Sequence, residues 1–86
     1  MKSVVSVLGK DHPGIIARVS TVLFENNANI LDISQTIMQD MFTMVMLIET
    51  ENSIADITQK LDSLGEELGV SIHIQREELF SAMHRI

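Results

Sequence analysis

The apolar residues of this 86-residue chain change period in a set order, and that order leaves few folds open. Ser3 to Gly9, SVVSVLG, is rich in β-branched residues and reads as a first strand. From Gly14 the period lengthens: Ile15, Ile16, Val19, Val22 and Leu23 fall on one helical stripe. Asn26 and Asn27 then supply positions that accept a left-handed backbone and end the helix. Asn29 to Met38 alternates, with Leu31, Ile33 and Ile37 on one side and Asp32, Ser34 and Thr36 on the other. Gln35 is the one polar residue on the apolar side of this half-buried strand. Gln39-Asp40 makes a tight turn without the glycine of the strongest hairpin signals, and Met41 to Thr50 follows as a third strand. Ser53 opens a second helix, in which Ser53 and Asp56 form an imperfect capping box. Ile54, Ile57, Leu61, Leu64 and Leu68 carry its apolar stripe. Gly69 is placed to end it, while Gly65 sits inside it at a cost of ~1 kcal/mol relative to alanine. Val70, Ile72 and Ile74 alternate with Ser71, His73 and Gln75 in a fourth strand. Leu79, Phe80, Met83 and Ile86 predict a short amphipathic tail helix.

The order β-α-β-β-α-β is the ferredoxin-like, α+β plan. Right-handed crossovers place both helices on one face of a four-stranded antiparallel sheet. The length predicts one domain, 1–86, with a core over 3–76 and a tail helix over 77–86. A chain this short buries only about 60–65% of its unfolded surface, so association with a partner stabilises it readily.

Composition removes several function classes. There is no cysteine, hence no disulfide scaffold, thiolate metal site or cysteine nucleophile, and a cytoplasmic location fits. The net charge of −6 is uneven: residues 44–86 hold Lys60, Arg76 and Arg85 against eight acids. With neither clustered bases nor stacking aromatics, nucleic-acid binding is not expected. The longest apolar run, Met44 to Ile48, is too short to span a bilayer, and Met1-Lys2 opens no signal peptide. His12, His73 and His84 lack second ligands at metal-binding spacing, so neither a metal nor a cofactor is expected. Arg18 lies a full turn into the first helix, which argues against a phosphate-loop hydrolase. Ser20, His12 and Asp11 form no supportable nucleophilic set. The expectation is a protein that is not an enzyme.

The uncovered face of the sheet raises a further expectation. In FTMVMLI, positions 42 to 48, apolar residues point both ways, and Val4, Val5, Val7 and Leu8 repeat this in the first strand. Leaving such side chains wet forfeits ~1.5–3 kcal/mol each. The excess is to be covered by the tail, by a second copy, or by both, and a homodimer or higher oligomer is expected. Its interface is predicted to include Val5, Val7, Phe42, Met44, Met46 and Phe80. The methionine-rich stretch (Met38, Met41, Met44, Met46) suits either core or an adaptable surface.

GKDHPGIIARVS, positions 9 to 20, is where chemistry concentrates. Pro13 has its φ preset for a helix start, and Gly14 allows a ligand to approach bare backbone. The amides of Gly14, Ile15 and Ile16 precede the helical ladder and face the turn, where the dipole favours an anion such as a carboxylate. Asn29 offers both a donor and an acceptor. Two roles stay open for Asp11: capping the helix through the Gly14 N–H, worth ~0.5–2 kcal/mol, or engaging the ammonium group of a ligand. Asn29 is equally open to being a plain turn residue.

GKDHPGIIARVSTVLFENNANILDISQ resembles the ACT domain signature: a strand ending in Gly-x-Asp-x-Pro-Gly, a helix, and an Asn-Ile pair beginning the second strand. The likeness covers roughly residues 3 to 76 and is nearest to small stand-alone ACT proteins. It implies a regulatory domain binding an amino acid or similar small metabolite, often at a subunit interface. By position it points to Asp11, His12, Pro13, Gly14 and Ile15, with Asn29, Ile30 and Leu31 as a second wall. Many relatives carry Arg where this chain has His12, replacing a permanent cation by one whose charge depends on pH. Output must pass through another protein. The alternative is a ligand-independent interaction role, for example on a transcription factor or a metabolic enzyme.

Overall fold

The computed structural model describes residues 1–51 and 54–78. Six elements form in the expected order: β1 (Lys2–Lys10), α1 (Ile15–Glu25), β2 (Asn29–Met38), β3 (Met41–Glu49), α2 (Ala55–Leu68) and β4 (Val70–Arg76). The strands make one antiparallel sheet in the order β2-β3-β1-β4. This is the ferredoxin-like βαββαβ arrangement. Its 19 Å thickness is that of one helix layer on one sheet.

Local chemistry sets the boundaries. Asn27 takes φ 59 just past α1, Gln39 takes φ 60 in the β2–β3 turn, and Gly69 takes φ 72 at the end of α2. Asparagine and glycine tolerate this region for the expected reasons; the hairpin turn is made with Gln39 and no glycine. α2 begins at Ala55 with Ile54 at its N-cap and no side-chain cap. Ser53, and with it the expected capping box, lies outside the described residues, as do Phe80, His84 and the tail helix from residue 79 onward.

The helix-side face of the sheet carries the core. Val5, Val7, Phe42, Met44, Met46, Ile48, Val70 and Ile72 meet Ile15, Val19 and Leu23 of α1 and Ile57, Leu61 and Leu64 of α2. This corrects the predicted dimer interface. Val5, Val7, Met44 and Met46 are fully buried and Phe42 nearly so, all within the chain's own core, leaving nothing for a second copy to touch. The five residues point to the face that the helices cover, not to the open one. Antiparallel partners share a face, so the outward set is Val4, Ser6 and Leu8 beside Thr43, Val45 and Leu47. Of the four methionines, Met44 and Met46 are core, whereas Met38 and Met41 are exposed.

β2 departs furthest from expectation. Leu31 has no partner on β3, because the register slips between Ile30 and Asp32. Such a bulge flips the phase of a strand, so Ile30 joins Ile33, Gln35 and Ile37 on the helix side and Leu31 leaves that set. All ten residues are exposed rather than half-buried, and none enters the core. β2 is an edge strand, and the two helices leave its apolar side uncovered.

Candidate functional site

β1, α1 and the β2–β3 turn converge at one end of the sheet. The amide of Asp11 donates to the Asp40 carbonyl at 2.7 Å, tying the β1–α1 turn to the hairpin. Gly14 stands at the N-cap of α1 with φ 93 and ψ −2, a backbone that side-chain-bearing residues avoid. No side chain caps the helix, and no acid occupies its first turn. The ladder begins with the Arg18 amide donating to the Gly14 carbonyl at 2.9 Å. The amides of Ile15, Ile16 and Ala17 therefore precede it, and Asp11 is not their partner.

A hollow of about 230 Å³ lies at this corner, lined by Asp11, His12, Gly14, Ile15, Ile16, Ala17, Gln35, Ile37 and Phe42. That is roughly seven or eight water volumes, room for a ligand the size of a small amino acid. Asp11, His12, Gly14 and Ile15 come together around it, and Pro13 lies in the same turn.

The second wall is made by other residues. Asn29 pairs with Glu49 and Met38 with Met41, while Lys10 also pairs with Met41. The end of β2, not its beginning, is therefore level with the end of β1. Within one chain Asn29, Ile30 and Leu31 stand at the far end of the sheet. Gln35, Ile37 and Phe42 take their place. Two signals for this were present in the sequence: a hairpin between β2 and β3 makes β2 parallel to β1, and Gln35 is the lone polar residue on its apolar side.

His12 has a second contact that the sequence does not reveal. Its Nε2 lies 3.0 Å from the carbonyl of Leu68, in the last turn of α2, and its Nδ1 lies 3.2 Å from the Pro13 carbonyl. A neutral imidazole has one N–H and donates to only one of these at a time. The ring lines the hollow while bracing the corner against α2, where a donor satisfies an otherwise orphaned carbonyl. Elsewhere Arg18 pairs with Glu67 at 2.8 Å, and Lys60 donates to Asn26 at 3.1 Å, joining α1 to α2 on the surface. Arg18 is thus engaged away from the hollow. Among the described residues no three His, Asp or Glu side chains gather to hold a metal, and no helix is long and apolar enough to cross a membrane.

A family model for the ACT domain matches residues 3–75. The chain belongs to the ACT domain family. ACT domains are in general small-ligand-binding regulatory domains, and they often dimerise. A UPF0237 protein of Methanocaldococcus jannaschii is 54% identical over 86 residues, covering 96% of each chain. Another from Clostridium acetobutylicum is 51% identical over 89 residues and covers both chains completely. The solved structure of an ACT domain protein from Streptococcus pneumoniae superposes with a TM-score of 0.83 at 36% identity, covering 98% of each chain. The chain therefore resembles stand-alone ACT proteins over their whole length. The regulatory subunit of aspartate kinase from Thermus thermophilus, in its ligand-free form, shares the fold at 21% identity and a TM-score of 0.68, over 86% of this chain and half of that one.

Proposed function

We propose that this ACT protein is a cytoplasmic homodimeric sensor, without catalytic activity of its own, that binds an amino acid at the β1–α1 corner and reports its presence to another protein. One observation carries the reading: an uncapped helix start, with three amides ahead of the ladder, opens onto a hollow of amino-acid size. The ligand carboxylate takes the amides of Ile15 and Ile16, Gly14 lets it approach, and Asp11 or Gln35 receives the ammonium group. Three or four charge-assisted hydrogen bonds at ~1.5–3 kcal/mol each must offset an association cost of at least ~4 kcal/mol. Dissociation constants between roughly millimolar and micromolar follow, a range suited to metabolite pools.

The dimer restores the missing wall. Among the described residues no strand pairs with the outer edge of β2, and Ile30, Ile33 and Ile37 are 36%, 44% and 53% exposed on its helix side. Covering them contributes about 2–4 kcal/mol together. Pairing β2 with a second copy about a two-fold axis through Ser34, with the bulge at Leu31 taking up one residue, sets the partner's Asn29 opposite Met38 and the partner's Ile30 opposite Ile37. The partner's Ile30 then stands beside Ile37 at the hollow, and the partner's Asn29 is the next residue along, at the end of the strand where the family signature expects an asparagine.

A thermal-shift screen of the twenty amino acids is expected to find at least one that stabilises the protein. Asn29→Ala should remove that shift without changing the particle mass, and Gly14→Val should remove it as well. A shift that survives both substitutions, or a mass equal to one chain at micromolar concentration, overturns the reading.

A further inference from the structure

Among the described residues no strand pairs with the outer side of β4, the second edge of the sheet, and this edge differs from the first. β4 pairs with β1 in unbroken register from Arg76 to Val70, with no bulge and no proline. Proteins usually blunt such edges with bulges, prolines or inward charges, because a regular edge is a template for another strand. Here the edge is flanked by a groove of about 510 Å³, lined by Asp62, Glu66 and Gly65 of α2 and by Val70, Ser71 and His73 of β4, among others. α2 reverses into β4 through Gly69 alone, so the helix runs back alongside the strand that follows it. Gly65 permits the approach: a Cβ built there would lie 2.8 Å from the Val70 carbonyl.

The wall is acidic and unneutralised. Asp62 and Glu66 are exposed, and among the described residues neither has an ion-pair partner, since Arg18 is held by Glu67 and Arg76 by Glu78. They stand one helical turn apart, about 6 Å along the axis. Side chains on one face of an extended strand repeat every 6.6–6.8 Å or so. The two spacings match.

We propose that the α2–β4 groove docks an extended cationic segment of a partner protein, added to β4 as a fifth strand, with two basic side chains two residues apart over Asp62 and Glu66. Main-chain bonds to β4 supply strength, and the paired acids supply selection for Lys-x-Lys or Arg-x-Lys. This rests on the reading above only in that output passes through another protein. The groove adjoins the corner site: His12, which lines the hollow, holds the Leu68 carbonyl next to Gly69, which lines the groove.

The test uses the full chain and two labelled, end-capped hexapeptides, one alternating lysine with valine and the other glutamate with valine. Fluorescence polarisation at about 0.1 M salt should show the lysine peptide binding at least tenfold tighter. The Asp62→Asn, Glu66→Gln double variant should lose that preference at least tenfold with its melting temperature kept. Amide resonances of residues 70–73 should move and exchange more slowly with solvent. Equal binding of the two peptides, unchanged affinity in the double variant, or shifts confined to β2 or spread over the acidic surface would each overturn the proposal. So would concentration-dependent growth of the particle through β4 without peptide. If the amino-acid thermal shift and the dimer mass persist while the lysine peptide fails to bind, the docking surface falls and the sensor stands.

Discussion

Replacing Gly65 by alanine sets two effects against each other. Gly65 lies inside α2, where alanine is favoured over glycine by ~1 kcal/mol on helix propensity, and on that ground alone the substitution stabilises. In the folded chain, however, the added methyl would sit 2.8 Å from the Val70 carbonyl oxygen, and Ile72 closes the site behind it at 3.5 Å. Overpacking of this kind costs ~1–3 kcal/mol. Val70 is backbone in a strand paired to β1 and cannot swing aside as a side-chain tip would, so the upper half of that range applies. The net expectation is a loss of about 1–2 kcal/mol after the propensity gain is subtracted. For a domain of this size that lowers the melting temperature by roughly 4–16 °C. Circular dichroism at 222 nm, with both proteins at one concentration because any self-association makes apparent stability depend on concentration, measures it. A melting temperature equal to or above that of the parent would mean that α2 can rise off β4 freely, and the account of close helix–strand contact would be wrong.

Met46→Ala empties a fully buried site between sheet and helices; chemical denaturation should register a loss of ~2–5 kcal/mol with an unchanged slope. His12→Ala removes the brace from the corner to the Leu68 carbonyl, and the same titration should show ~0.5–1.5 kcal/mol, with no change expected if the ring were simply solvated. Ile33→Lys puts charge on the exposed helix side of β2. Light scattering should then report one chain per particle with the circular dichroism spectrum intact, and a dimer persisting through this change would exclude pairing along β2.

Element order, strand periods and the chemistry of the turns could be read without coordinates, because they depend on neighbours within a few residues. The stripe Ile15, Val19, Leu23 needs only a helix to define its face, and Asn27 and Gly69 need only their own backbone. The corner at Asp11 to Ile15 was legible for the same reason. Its opposite wall was not: Asn29 is close to α1 in sequence, yet strand direction carries it to the far end of the sheet and brings Gln35 and Ile37 instead. The role of His12 depends on a carbonyl 56 residues away. The two faces of β1 and β3 carry similar apolar residues, so alternation defined two sides without saying which one the helices would cover. A bulge at Leu31 is invisible in a pattern that continues on both sides of it. Local propensity thus determined which elements form and where they end. Which side chains are buried, which edges stay free and what surrounds the hollow were decided by packing between distant segments, since burial and strand register are properties of the assembled sheet and of no stretch alone.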